Sequence, residues 1–256
     1  MDYNTITLEK TEGYAVVGLN RPNEMNAISA EMTRELEDCF YSLENDDTIK
    51  SILLTGGERV FSAGMDIKEM AELTEEQLEN YFQAVSRYLI GIYTCQKPVV
   101  AAVGGIALGG GFNLITVCDI IVASETAIFG HPELQFGFNP LFSPLMNLVG
   151  ILKAKEITML GQPIGALEAL RIGLVNKVVP PENLISESLS MVKDLAALSP
   201  RAIAAVKRMS NIAPKLDKRA AIEMEIGVSA LLFFSAENRN NLREFLLNKS
   251  YKREKS

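Results

Sequence analysis

The chain predicts an α/β protein whose first half is built on a mainly parallel, helix-flanked sheet, and three observations carry that reading. Strand-like apolar runs alternate with helix-like segments as far as about residue 129. Two glycine-containing segments, Phe61-Ser62-Ala63-Gly64-Met65-Asp66-Ile67 and Gly104-Gly105-Ile106-Ala107-Leu108-Gly109-Gly110-Gly111-Phe112, each follow a short apolar run and each lead into a helix. Beyond 129 the alternation gives way to helical segments punctuated by Pro180-Pro181 and Ser199-Pro200. Helices without interleaved strands need another surface, so this part is expected to lie on the core or on a neighbouring subunit.

The elements follow in order. Residues 6–9 and 14–19 read as a strand pair around Glu12-Gly13, and Arg21-Pro22-Asn23 breaks the pattern. Ser29 suits the N-cap of a helix reaching about 45. A buried strand over 51–55 stops at Gly56-Gly57, and a helix over 74–93 opens on Thr74 with Gln77 three residues on, the spacing of a capping box. The apolar run 99–103 is a second buried strand, followed by the glycine turn and a helix to about Cys118; strands at 120–123 and 127–129 come next. The C-terminal helices are expected over 183–198, 200–210, 217–235 and 236–247. The division read from this pattern is 1–180 for the core and 181–256 for a helical oligomerisation region.

Bulk properties narrow the function without naming it. With 256 residues, folding buries roughly three quarters of the unfolded chain's surface, enough for one substantial core. The formal charge of −7 argues against a nucleic-acid surface. Only the tail from Lys249 to Lys255 is locally basic. Cys39, Cys95 and Cys118 are too few and scattered for a disulfide framework and lack zinc-type spacing. Met1-Asp2-Tyr3-Asn4 shows no basic region followed by an apolar stretch, and no run approaches about 18 apolar residues, so a cytoplasmic location without membrane attachment is expected.

Specific chemistries also drop out. One histidine, His131, and no Gly-x-Ser-x-Gly elbow leave a Ser-His-Asp hydrolase unsupported. No Gly-Lys-Ser/Thr follows the glycine turns, and Gly109-Gly110-Gly111 lacks dinucleotide-binding spacing. His131-Pro132-Glu133 offers only two ligating side chains, so no metal is expected. What the glycine turns do offer is backbone. The first amides of a helix have no partner within it, and two such amides converging from separate turns would bind an oxyanion.

Five motifs, in order, then resemble one family. Phe61 to Ile67, Lys97-Pro98-Val99-Val100-Ala101-Ala102-Val103, Ala107-Leu108-Gly109-Gly110-Gly111, Cys118-Asp119-Ile120 and Phe129-Gly130-His131-Pro132-Glu133 are similar to those of the crotonase (enoyl-CoA hydratase/isomerase) superfamily, with a likeness spanning about 14–173. The resemblance implies a crotonase-like spiral of strand-strand-helix units, a C-terminal helical trimerisation region giving a homo-trimer or hexamer, and an acyl-CoA substrate. Coenzyme A is then part of the substrate, and no separate cofactor is implied. The resemblance puts the thioester oxygen on the amides of Ala63 and Gly110, and the coenzyme A channel along Ala63, Gly64, Met65, Asp66 and Ile67 and along Asn26-Ala27-Ile28. Asp66 reads equally as a helix cap or a ligand contact. Phe245 and Lys249 fall near positions that reach the nucleotide.

Two departures from the hydratases of that family decide the expected reaction. Those enzymes resemble one another in carrying two carboxylates; here the second is Glu133, while the first position holds Asn113, placed as a substrate contact, which cannot take a proton. The sequence 137–144, Gly-Phe-Asn-Pro-Leu-Phe-Ser-Pro, replaces a glycine-rich loop with bulky residues. One carboxylate suits a double-bond shift, as in the family's Δ3,Δ2-enoyl-CoA isomerases, with Glu133 as single acid and base. Leu134, Phe136, Phe138, Leu141 and Phe142 would give it an apolar setting. The alternatives are an enoyl-CoA or dienoyl-CoA hydratase, a lyase in which Asn113 holds the water, and a non-catalytic coenzyme A-binding module.

Overall fold

A computed structural model of the chain describes residues 2–234, 239–240, 243 and 246. The helix expected over 236–247 falls for the most part outside them, and Phe245 and Lys249 lie outside the described residues. The chain forms two compact units, Met1–Leu198 and Ser199–Ser256.

The first unit opens on an antiparallel hairpin, β1 (Ile6–Thr11) and β2 (Gly13–Leu19). Helix α1 (Ala30–Glu44) follows, and the Ser29 hydroxyl accepts from the Met32 N–H at its start. A unit of two strands and a helix then recurs. The strands β3 (Ile49–Thr55) and β4 (Val60–Ser62) precede α2 (Ile67–Met70) and α3 (Glu75–Thr94), whose Thr74 and Gln77 form the expected capping box. The pair β5 (Val99–Val103) and β6 (Ile106–Leu108) precedes α4 (Gly110–Thr116). The pair β7 (Ile120–Ser124) and β8 (Ile128–Gly130) precedes α5 (Phe142–Val149) and α6 (Ile151–Leu160). Short pieces close the unit: β9 (Ile164–Gly165), α7 (Ala166–Arg171), β10 (Lys177–Val179) and α8 (Leu184–Ala196).

In each repeat the first strand joins a six-stranded sheet, ordered β1-β2-β3-β5-β7-β10, and the second joins a four-stranded sheet, ordered β4-β6-β8-β9. Pairing from β2 through β10 in the large sheet is parallel, as is β4-β6-β8 in the small one. The expected strand-strand-helix spiral is therefore present.

Both faces of the large sheet are covered, so its inner strands are apolar over most of their length. Alternation along β3 sends Ile52 and Leu54 into the main core with α1, α3 and α4. Leu53 points the other way, to Val100, Ala102 and Val122, and α8 covers these with Leu184 and Val192. The buried Ser51 hydroxyl donates to the Val192 carbonyl oxygen at 2.8 Å. Because α8 is needed to cover this face, the first compact unit ends after Leu198 and not at the expected 180. All three cysteines are buried without disulfides, and burial pushes the Cys39 thiol up to about 12.

The second unit contains α9 (Pro200–Ile212) and α10 (Lys218–Phe233). Ser199 caps the former, and Asp217 caps the latter by accepting from the Arg219 and Ala220 N–H groups at 3.0 Å. Among the described residues, no helix is long and apolar enough to cross a membrane.

Leu53→Ala is expected to cost about 2–5 kcal/mol in urea unfolding, as full-burial truncations do, while leaving the catalytic rate constant of the folded protein unchanged, since Leu53 belongs to the face under α8.

Candidate active site

Two turns of the small sheet meet. The chain leaves β4 through Ala63-Gly64-Met65 and enters α2 at Asp66; it leaves β6 through Gly109 and enters α4 at Gly110. Gly64 has φ +105°, and a Cβ there would stand 2.9 Å from the Leu108 carbonyl oxygen and 3.2 Å from the Gly110 nitrogen. A Cβ on Gly110 would stand 3.3 Å from the Met65 nitrogen. Glycine at 64 lets the two backbones approach this closely, and a side chain at 110 would force Met65 to give by a few tenths of an ångström.

The geometry changes one expected donor. The Ala63 N–H donates to the Met25 carbonyl oxygen at 3.0 Å, and the Gly64 N–H donates to the Ser62 hydroxyl at 3.2 Å. Both are occupied in holding the turn. After the positive φ at Gly64 the next nitrogen, that of Met65, lies beside Gly110. Neither the Met65 nor the Gly110 amide has an acceptor among the described residues. The converging pair is therefore Met65 with Gly110, and Ala63 serves the turn instead.

A second segment is zipped to this turn. The Ile28 N–H donates to the Gly64 carbonyl oxygen at 2.8 Å, and the Asp66 N–H donates to that of Ile28 at 3.1 Å. The buried Tyr81 hydroxyl of α3 donates to the same Ile28 oxygen at 2.8 Å. Asn26, expected in the channel, is instead buried with a φ of +52°. Its amide nitrogen donates to the carbonyl oxygens of Gly56, Val60 and Phe61, and its side-chain oxygen accepts from the Arg21 N–H.

These segments and the turn after β8 enclose a cavity of about 840 Å³. Ala27, Ala63, Gly64, Met65, Asp66, Ile67, Gly110 and Glu133 all border it. Asn113 is not among the bordering residues, and its side-chain oxygen is buried with no hydrogen-bond partner among the described residues. Asp66 both borders the cavity and caps α2, accepting from the Glu69 N–H at 3.2 Å and from the Arg21 guanidinium at 2.9 Å. Burial pushes the Asp66 carboxyl up, but the hydrogen bonds and charge of Arg21, with the Glu69 N–H, outweigh it and hold the group below its ordinary 3.8. Arg21 and Lys68 border this wall together with Glu24 and Glu69.

Glu133 starts a single turn of 3-10 helix, Glu133–Phe136, after Pro132. The Phe138 N–H returns to the Glu133 carbonyl oxygen at 3.0 Å, so the turn is tied at its base. The residue is 6% exposed, and its carboxylate faces the buried His131 ring. The apolar surround differs from expectation. Leu134, Phe136 and Phe138 are exposed, the last two at the cavity, while Leu141 and Phe142 turn away to pack on the core. No group of three or more His, Cys, Asp and Glu residues able to hold a metal ion occurs among the described residues.

A spiral of strand-strand-helix units on two mainly parallel sheets, with paired amides and a carboxylate bordering one cavity, defines the class to which the comparisons lead. The chain belongs to the enoyl-CoA hydratase/isomerase family, whose model matches residues 9–253. It is 35% identical over 250 residues to the short-chain-enoyl-CoA hydratase of Clostridium acetobutylicum, with 96% of each chain covered. Over 250 residues it is 34% identical to the crotonyl-CoA hydratase of Syntrophomonas wolfei, again with 96% of each covered. The crystal structure of an enoyl-CoA hydratase from Bacillus anthracis superposes with a TM-score of 0.91 at 28% identity, covering 96% of this chain and 97% of that one.

The depressed Asp66 carboxyl makes a pH prediction. A group held below its unfolded value contributes stability above that value and loses it as pH falls through the folded one. The stability difference between the unsubstituted protein and Asp66→Asn is therefore expected to be full at about pH 7 and to shrink below about pH 4, as read by urea unfolding across that range.

Proposed function

We propose that the protein binds an enoyl-CoA thioester in the 840 Å³ cavity, holds the thioester oxygen on the Met65 and Gly110 amides, and moves the double bond with Glu133 as the single proton carrier. The observation that carries this reading is the pair of positions where the family's hydratases resemble one another in having carboxylates: Glu133 borders the cavity, whereas Asn113 neither titrates nor borders it.

The chemistry balances on one carboxylate. Glu133 takes a proton from C2 of a 3-enoyl thioester, and the C–H electron pair delocalises through the 3,4 double bond and the carbonyl to give a dienolate. Negative charge collects on the thioester oxygen, where two fixed amides gain strength as the charge grows. Returning the proton at C4 moves the double bond to the 2,3 position and regenerates the carboxylate. Phe136 and Phe138 at the cavity would border the acyl group and limit room for water.

Hydration of a 2-enoyl thioester is the second reading, and the names of the relatives favour it. In that case Glu133 manages the proton and water is placed without a second carboxylate.

Glu133→Gln is expected to lower turnover of a 3-enoyl-CoA by about 10²–10⁴ with the fold intact. Carried out with unsubstituted protein in heavy-oxygen water, the same assay should give a 2-enoyl-CoA of unchanged mass. Heavy oxygen at C3 would instead establish hydration, and thioester binding without turnover would leave a binding module.

A further inference from the structure

We propose that His131 is a positioning residue for Glu133: its neutral ring, protonated at Nδ1, holds the carboxylate in the orientation proton transfer requires. The inference rests on the reading of Glu133 as the proton carrier.

His131 is the only histidine of the chain and is 0% exposed. Its Nδ1 lies 3.1 Å from Oε1 and 3.2 Å from Oε2 of Glu133, so one ring nitrogen faces both oxygens. A lone pair there would oppose those of the ionised carboxylate; an N–H satisfies them. The other nitrogen, Nε2, is buried and has no hydrogen-bond partner among the described residues. The ring lies against that of Phe112, with centroids 4.6 Å apart at 40°. A proton on Nε2 would bury an N–H and a full positive charge with no acceptor at that end, whereas a bare nitrogen there leaves the ring neutral. The two ends of the ring together select the Nδ1–H form.

Glycine limits the same carboxyl group from the backbone. A Cβ on Gly109 would stand 3.4 Å from Oε1 and 3.5 Å from Cδ of Glu133, so between the carboxyl and the turn that begins α4 there is room for little more than a methyl group. A glutamate has three side-chain torsions to order, and contacts made before substrate arrives remove that cost from the reaction. Displacing a base by about 1 Å costs about 10²-fold in rate.

Protein labelled with nitrogen-15 in its one histidine gives one pair of ring resonances, with no assignment needed. The expected spectrum at neutral pH shows Nδ1 protonated and Nε2 bare. His131→Phe is expected to lower kcat by about 10²-fold with KM changed less than about threefold, and His131→Asn, whose amide N–H can take the Nδ1 place, to recover kcat to within about tenfold. A proton on Nε2 with Nδ1 bare, a doubly protonated ring, or an undiminished kcat in His131→Phe would overturn the proposal. Should His131→Phe not fold, the resonances of the unsubstituted protein decide. Wild-type turnover by Glu133→Gln would instead overturn the proton-carrier reading itself; an inactive Glu133→Gln beside a fully active His131→Phe removes only the positioning role.

Discussion

Backbone lies against backbone where the Gly64 turn meets the start of α4, at a separation that would bring a methyl group on Gly64 within 2.9 Å of the Leu108 carbonyl oxygen. The two sheets set up this approach. Strands β4 and β6 run parallel, so their turns emerge side by side, and the bonds from Ile28 and to Ile28 hold the first turn from its outer edge. Each turn then leaves one N–H without an acceptor among the described residues, Met65 because the chain reverses after Gly64 and Gly110 because it opens a helix. The oxyanion contact we propose for this site uses what the fold leaves unpaired among the described residues.

The same sheet supplies the carboxylate. Strand β8 lies parallel to β6, with Leu108 opposite Gly130, and the Gly109 N–H donates to the Gly130 carbonyl oxygen at 3.0 Å. Three parallel strands thus end along one edge, and the segments leaving them carry Met65, Gly110 and Glu133 in turn. Ligand sites at the carboxyl ends of parallel strands are a general outcome of α/β topology. Asn113, in the first turn of α4, does not border the cavity and supplies no second charge. Two amides without acceptors among the described residues and the Glu133 carboxylate are what the proposed chemistry uses.

Much of this was legible before any coordinates. The strands β3, β5 and β7 are built on short apolar runs because both faces of their sheet are covered, and α1 and α3 announce themselves through Ser29 and the Thr74–Gln77 box. Strands of three residues, such as β4 and β6, are too short to show a period. Glu133 stood out because it holds one of the two positions where the family's hydratases resemble one another in carrying a carboxylate. The donor beside Gly110 did not, because which amide of Ala63-Gly64-Met65 remains unpaired depends on the sign of one backbone angle and on a carbonyl, that of Met25, many residues away. Asn26 resembled a channel residue for a related reason: its four hydrogen bonds run to backbone atoms that no local pattern identifies. A lone histidine likewise carries no spacing from which its contact with Glu133 can be read.

The paired amides are the claim on which the chemistry rests, and replacing a single backbone N–H by an ester oxygen through semisynthesis tests it most directly. An ester at Met65 is expected to lower kcat by about 10²–10³ with little change in stability, the loss seen when one oxyanion donor is removed. An ester at Ala63 is expected to weaken the fold, through its bond to Met25, with far less effect on the rate of the folded protein. The opposite pattern, with rate lost at Ala63 and kept at Met65, would contradict the account.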